Sequence, residues 1–179
     1  PPQYFHCLRG QVLRRWRKRL TLMNAKSLLR HPRVVSGLGE CANGAFQRII
    51  PDVLPDHAER VARLVLCTGK IYYELEQRRE KLNRNDVAIL RIEQLYPLPV
   101  DMLRSLLDSY PAGTPAFWVQ EEPENMGAWH YLRINLGEKL FNRFPFASIC
   151  RPESASPATG SASSHKQEQE KLLAAALST

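Results

Sequence analysis

The sequence has 179 residues, 44% of them hydrophobic and 24% charged, which is ordinary for a globular protein and excludes a disordered or collagen-like chain. No apolar run approaches the roughly 18 residues that a membrane-spanning helix needs. The formal charge is +7, but residues 1–33 carry nine basic and no acidic side chains, so the positive charge belongs to one end of the chain.

The length and the cysteines suggest a single intracellular domain with an additional arm. A chain of this size can bury about 70% of its unfolded surface in one core. The chain begins Pro-Pro-Gln with no apolar signal core, so we expect a piece of a longer polypeptide. The cysteines are scattered, without a CxxC pair or a histidine at ligand spacing, and we predict free thiols in a reducing compartment and no zinc site. They are Cys7, Cys41, Cys67 and Cys150.

The first third of the chain is predicted to contain short elements. Four apolar residues recur every three or four positions and predict a helix over residues 3–18. They are Phe5, Leu8, Val12 and Trp16. The elements predicted next are a strand at 20–23, a short helix in 24–32 that ends at or before Pro32, and a strand in 46–51.

Strands and helices alternate in the rest of the chain. The predicted elements are a strand at 61–67, a helix at 70–82, a strand at 86–92, a helix at 97–110, a strand at 116–120, a helix within 125–142, a strand at 146–150, an extended connector at 152–164 and a final helix that begins at Ser164. This alternation predicts an α/β domain with a mostly parallel twisted sheet flanked by helices. The uniformly apolar strands "RLVLC" and "VAILRI" favour a sheet that is covered on both faces.

A Thr-Gly-Lys turn, residues 68–70, follows the strand "RLVLC" and leads into a helix. Ligands of open α/β sheets favour the carboxyl ends of strands, where helix N-termini present free N–H groups. A true P-loop needs GxxxxGK[ST], but Leu64 stands at the first glycine position and Ile71 at the hydroxyl position. A phosphate contact and a plain strand-to-helix turn therefore both remain open.

Other catalytic patterns are weaker. Glu121 and Glu122 follow the strand at 116–120, but adjacent strand residues point to opposite faces and do not converge on one substrate atom. The five histidines are spread over the whole chain, and the nucleophile motif GxSxG is absent.

The basic N-terminal stretch allows two interpretations. It is either a nucleic-acid-binding module or an amphipathic helix that packs its aromatic stripe on a neighbouring domain. We favour packing, because the aromatic residues lie on the apolar stripe instead of alternating with the basic residues. A steep loss of binding with salt would identify the nucleic-acid-binding module.

Taken in order, the segments resemble the 2-oxoglutarate dehydrogenase family, and specifically the C-terminal domain of its thiamine diphosphate-dependent decarboxylating component. The resemblance is carried by "QYFHCLRGQVLRRWRK", "KSLLRHP", "FQRIIPD", "LCTGKIYYEL", "DVAILRIEQLYPLP", "WVQEEPENMGAWHYL" and "RPESASPATGSASSHKQEQEKLL". It implies a transketolase C-terminal-type fold. It also implies that residues 1–18 form the last helix of a preceding pyrimidine-binding domain, residues 19–151 the α/β domain, and residues 152–179 a connector and terminal helix.

The resemblance further implies that the full-length enzyme decarboxylates 2-oxoglutarate on thiamine diphosphate with Mg²⁺ and passes the succinyl group to a lipoyl arm. In the family the cofactor is held by a Gly-Asp-Gly motif and a glutamate in upstream domains. No catalytic, cofactor-binding or metal-binding residue is therefore assigned to this chain, and we expect the fragment alone to be inactive. The expected partners are the upstream domains, a second subunit in a homodimer and the lipoyl-bearing succinyltransferase, with no membrane and no nucleic acid.

Resemblance also strengthens the case for a regulatory contact at the Thr-Gly-Lys turn. Family members take effectors such as acetyl-CoA or AMP in this domain, so Thr68, Gly69, Lys70 and Arg91 are predicted to outline an anionic effector site. The implied location is the cytoplasm for a bacterial protein and the mitochondrial matrix for a eukaryotic one, not the exterior of the cell.

Overall fold

The computed structural model describes residues 1–53 and 55–178, without the side chains of residues 55–57. It divides into two compact units, Pro1–Arg48 and Ile49–Thr179. The predicted boundary after residue 18 falls inside the first unit, and the assignment of residues 1–18 to a separate domain stays a prediction. Among the described residues, no helix is both long enough and apolar enough to cross a membrane.

The first unit has little core of its own. It contains helix α1 (Pro2–Leu13), a single 3₁₀ turn (Lys26–Leu28) and helix α2 (Leu38–Ala42). His6 is the one buried residue among positions 1–48, all of which are described, and its Nε2 lies 2.8 Å from the Glu40 carbonyl oxygen. The predicted helix therefore exists but ends at Leu13, and Trp16 lies beyond it with 77% of its surface exposed.

The strand predicted at residues 20–23 is wrong. These residues form no strand, and Leu20 and Met23 are both exposed. A short apolar run becomes a strand only when a neighbouring strand accepts its backbone hydrogen bonds, and none pairs with it in the described part of the chain. The short helix predicted after it is confirmed as the 3₁₀ turn.

The second unit is an α/β sandwich around one six-stranded sheet. Its elements in chain order are β1 (Ile49–Ile50), a 3₁₀ helix (Pro55–Arg60), β2 (Arg63–Cys67), α3 (Ile71–Lys81), β3 (Val87–Ile92), α4 (Val100–Leu107), β4 (Ala116–Pro123), α5 (Trp129–Leu136), β5 (Lys139–Leu140), β6 (Phe144–Arg151) and α6 (Ala162–Ala176). The strand order is β1-β3-β2-β4-β6-β5. The four inner strands are parallel and the two edge strands antiparallel. This confirms the predicted fold class.

Alternating side chains of the inner strands build a core on each face of the sheet. In β2, Leu64 and Leu66 face α4 and α5, whereas Val65 and Cys67 face α3 and α6. All four are fully buried, which explains why this strand has no polar alternation.

Helix α6 begins earlier than predicted. Its first residue is Ala162, and the Ser161 hydroxyl accepts a hydrogen bond from the Ser164 amide at 3.4 Å. Several serines in this stretch can cap a helix, so the sequence did not distinguish Ser161 from Ser164. At the other end of α6, Arg63 Nη1 donates to the carbonyl oxygens of Ala175 and Ala176, and the Ser178 hydroxyl also donates to the Ala175 carbonyl oxygen.

Asp52 ties the segment after β1 to the sheet. Its side chain is 2% exposed, accepts a hydrogen bond from the Ile89 amide at 2.7 Å and forms an ion pair with Arg79. Arg79 also donates to the Val87 carbonyl oxygen at 3.0 Å. The pair thus joins α3, β3 and the β1–β2 connection inside the second unit.

A second buried polar side chain, Gln120, organises the turn after β4. It is 3% exposed and uses both ends of its amide. Its Oε1 accepts hydrogen bonds from Trp118 Nε1 (2.8 Å) and the amides of Ala128 and Trp129 (3.1 Å each), and its Nε2 donates to the carbonyl oxygens of Pro123 (3.1 Å) and Met126 (2.7 Å). Gly127 closes against this amide with φ +70°, and a Cβ there would come within 2.8 Å of it. The side chain therefore holds the turn and satisfies the first amides of α5.

Replacing Asp52 with alanine tests the first of these anchors. We expect the free energy of unfolding to fall by about 3–5 kcal/mol, because Arg79 is left as a buried charge without its partner. The measurement is urea unfolding, with Glu170→Ala as the control because Glu170 is exposed and its ion pair with Arg78 is only partly shielded from water, so that it contributes about 1 kcal/mol or less. Equal losses in the two variants would contradict a structural role of the buried pair.

Replacing Gln120 with methionine tests the second anchor. Methionine has a similar shape but leaves the Trp118 indole and two α5 amides without an acceptor, at a cost of about 1–3 kcal/mol for each unsatisfied group. We therefore expect a loss of about 3 kcal/mol or more in the same assay. Gln167→Met, at an exposed position of α6, should change stability by less than about 0.5 kcal/mol.

Candidate functional site

The predicted Thr-Gly-Lys turn lies at the carboxyl end of β2, as expected. Gly69 has φ +71°, in the left-handed region that glycine adopts most easily. Lys70 forms an ion pair with Glu121, and its Nζ lies 3.7 Å from Glu74 Oε1. The charge of Lys70 is therefore already balanced by carboxylates of this chain.

Arg91 is held in a comparable way. The parallel register places it beside Cys67, one residue before the turn. Its Nε donates to Glu93 Oε1 at 3.0 Å, and its guanidinium carbon lies 4.6 Å from the ring centroid of Tyr72. Burial alone lowers the pKa of Arg91, but Glu93 and the other nearby groups outweigh burial and raise the pKa.

Of the four predicted effector residues, Thr68 lines a cavity whose described lining does not include Gly69, Lys70 or Arg91. Thr68 lines a cavity on the α5 side of the sheet, whereas Lys70 and Arg91 contact side chains on the α3 side. Strand alternation accounts for this division, because Thr68 follows Cys67, which faces α3. The effector site stays a prediction, and an anion there would have to compete with Glu121 and Glu93.

A buried amide extends the Lys70 contacts towards the last helix. Gln169 is 8% exposed, and its Nε2 donates to Glu74 Oε2 at 2.8 Å and to Glu121 Oε1 at 3.1 Å. Its Oε1 accepts from Arg151 Nη2 at 2.8 Å. These contacts place Glu121 on the α3–α6 face, away from Glu122, so the two carboxylates lie on opposite faces as the sequence indicates.

The other face carries a mainly apolar cavity of about 360 Å³ at the carboxyl ends of β2 and β4. We call it the tyrosine pocket. It is lined by Thr68, Leu95, Tyr96, Trp118, Gln120, Glu122, Gly127, Ala128 and Tyr131. Glu122 is the only charged residue in the part of this lining that the structure describes. This pocket was not predicted from the sequence, although Tyr96 and Glu122 each follow a predicted strand at the same edge of the sheet.

The two cysteines of the second unit, Cys67 and Cys150, are not suited to nucleophilic chemistry. Burial raises the pKa of Cys67 to about 12 and that of Cys150 to about 11, so both stay protonated at neutral pH. The four cysteines are free, as predicted. Within residues 1–53 and 55–178, no three His, Cys, Asp or Glu side chains are grouped closely enough to hold a metal ion.

Comparison with known proteins relates the chain to one enzyme family. The family model described as 2-oxoglutarate dehydrogenase C-terminal matches residues 35–177. The 2-oxoglutarate dehydrogenase E1 component of Cupriavidus necator is 42% identical over 176 residues, which cover 98% of this chain and 18% of that protein. The E1 component of Haemophilus influenzae is 43% identical over 178 residues, 99% of this chain and 19% of that protein.

Similarity extends to a eukaryotic protein and, more weakly, to a solved structure. The mitochondrial 2-oxoglutarate dehydrogenase of Dictyostelium discoideum is 42% identical over 183 residues, 99% of this chain and 18% of that protein. A chain described as a split gene transketolase, in an inactive β4 tetramer, has a TM-score of 0.48 at 12% identity and aligns with 75% of this chain and 43% of its own.

These similarities give no support to a nucleic-acid-binding module. The chain spans about a fifth of the length of the curated relatives that it matches. Because the family model covers most of the chain and relatives more than 40% identical align along nearly all of it, the chain belongs to the 2-oxoglutarate dehydrogenase family and corresponds to its C-terminal domain.

Proposed function

We propose that the chain is the C-terminal framework domain of a longer thiamine diphosphate-dependent enzyme that decarboxylates 2-oxoglutarate and transfers the succinyl group to a lipoyl arm. The observation that carries this proposal is the continuous similarity to E1 components, at 42–43% identity over 98–99% of the chain. A buried core on both faces of the sheet suits a framework role.

The cofactor belongs to other parts of the proposed enzyme. Thiamine diphosphate stabilises the carbanion that decarboxylation generates. The described residues do not fit the cofactor and its Mg²⁺, because no group of metal-ligating side chains is present among them and the sequence has no Gly-Asp-Gly motif. No step of the reaction is therefore assigned to a residue of this chain.

The remaining partners follow from the same proposal. We infer contacts with the upstream domains, a second subunit of a homodimer and a lipoyl-bearing succinyltransferase. The relatives are bacterial E1 components and a mitochondrial protein, which supports the cytoplasm or the mitochondrial matrix as the location.

Exchange of the domain tests the proposed function. We expect a chimera, in which this chain replaces the matching C-terminal fifth of the Haemophilus influenzae relative, to reduce an artificial electron acceptor in the presence of 2-oxoglutarate, thiamine diphosphate and Mg²⁺. The chain alone and the truncated relative should both be inactive, because neither has the whole framework. Turnover by the chain alone, or a well-folded chimera without activity, would contradict the proposal.

We also propose that Thr68, Gly69, Lys70 and Arg91 take part in an anionic effector site. The positive φ of Gly69 and the position of Lys70 at the start of α3 support it. Because Lys70 and Arg91 are paired with Glu121 and Glu93, an effector phosphate has to displace at least one of these carboxylates.

Lys70 variants of the active chimera test this site. Lys70→Ala should abolish activation by acetyl-CoA or AMP, and Lys70→Arg should retain much of it because the positive charge stays in place. The measurement is activity against effector concentration, with Lys81→Ala, at an exposed position of the same helix, as the control. Unchanged activation in Lys70→Ala would remove the turn from the effector site.

A further inference from the structure

The tyrosine pocket lies at a point where the topology of the sheet opens a crevice. Strands β2 and β4 are parallel neighbours. The helix after β2 is α3, which packs on one face, and the helix after β4 is α5, which packs on the other. The chain therefore leaves the two strand ends in opposite directions, which is the arrangement at which open α/β sheets bind ligands.

Two aromatic rings form the outer walls of this pocket. The ring centroids of Tyr96 and Tyr131 are 6.3 Å apart and their planes meet at 66°. Tyr96 is 82% exposed, whereas Trp118 at the base is fully buried. Because aromatic faces carry partial negative charge, such walls attract a cation with an apolar or flat body.

The pocket also carries a negative charge, which has the same sign as the partial charge on the aromatic faces. Glu122 is exposed and forms no ion pair with any residue whose side chain the structure describes. Among the described residues that line the pocket, none is basic. The pocket thus combines aromatic faces with one carboxylate that has no cationic partner there.

Elsewhere in the second unit, arginines of the chain itself cover comparable rings. Guanidinium carbons lie 4.4–4.6 Å from the nearest ring centroid in three such pairs. They are Arg63 with Phe117, Arg91 with Tyr72, and Arg104 with Phe141. Tyr96 and Tyr131 present the same kind of surface beside Glu122, but no arginine of the described chain is stacked on them.

We propose that the tyrosine pocket binds an arginine side chain presented by a partner protein. Arginine fits better than lysine because its planar guanidinium stacks on a tyrosine face while its N–H groups reach the Glu122 carboxylate. The volume of about 360 Å³ is near the lower end of the range for ligand pockets, about 300–1,000 Å³, which favours a single side chain over a large cofactor. This inference does not depend on the proposed enzymatic function.

The test uses the chain itself and blocked tripeptides. Acetyl-Gly-Arg-Gly-amide is titrated into ¹⁵N-labelled protein, and we expect shifts of the backbone amides around Tyr96, Glu122 and Tyr131 with a dissociation constant on the order of 1 mM. The matching citrulline tripeptide has nearly the same shape without the charge and should bind at least about fivefold more weakly. The lysine tripeptide should also bind more weakly than the arginine tripeptide, and added salt should weaken only the charged peptides.

Variants separate the pocket from general surface charge. Glu122→Gln should weaken binding about three- to fivefold and Tyr96→Ala by a similar factor, whereas Tyr96→Phe, which keeps the ring, should bind nearly as well as the parent. Glu124→Gln removes an exposed carboxylate that does not line the pocket and should have no effect. Retained amide dispersion in each spectrum establishes that the variant is folded.

Several results would overturn the proposal. They are the absence of shifts at 10 mM peptide, equal binding of the arginine and citrulline tripeptides, equal binding of the lysine tripeptide, and equal effects of Glu122→Gln and Glu124→Gln. Shifts confined to residues outside the pocket would do the same.

Discussion

The second unit depends on one buried amide, that of Gln120. Strand β4 ends in a tight turn whose carbonyl and amide groups cannot all reach water, and the Gln120 side chain forms hydrogen bonds with four of these groups and with the Trp118 indole. Its acceptor oxygen determines where α5 begins, and its donor nitrogen holds the turn against Gly127. The position of Tyr131 on α5, and with it one wall of the tyrosine pocket, follows from these hydrogen bonds.

Strand alternation beyond Gln120 then separates two chemically different surfaces. Glu121 points to the α3–α6 face, where Lys70 and Gln169 contact it, and Glu122 points to the tyrosine pocket. One carboxylate is thus used to hold helices on the sheet, and the other is left at an open cavity. The pair resembles a catalytic pattern in the sequence, but the geometry of a strand assigns the two residues to different faces.

The α/β pattern was predictable because its strands are unusually apolar. Strands β2 and β3 lie within one or two residues of their predicted bounds, because a strand buried on both faces appears in the sequence as an unbroken run of apolar residues.

The elements that were predicted wrongly or not at all have other causes. Residues 20–23 are apolar without a neighbouring strand, β5 is only two residues long, and α6 has several serines that can cap it. For residues 20–23 the outcome depended on pairing with a strand distant in sequence, whereas β5 pairs with the strand that follows it and the start of α6 depends on a cap three residues away.

By itself, the sequence determined the fold class, the order of the inner elements and the family, because each depends on local patterns or on residues in family order. Only the tertiary structure decided which charges remain available. Lys70 and Arg91 look like free cations in the sequence, but Glu121 and Glu93 neutralise them, whereas Glu122 is left beside two tyrosines that lie 35 positions apart. The physical reason is that charge pairing and pocket walls require side chains from separate elements to meet within a few ångströms, and no local pattern encodes that distance.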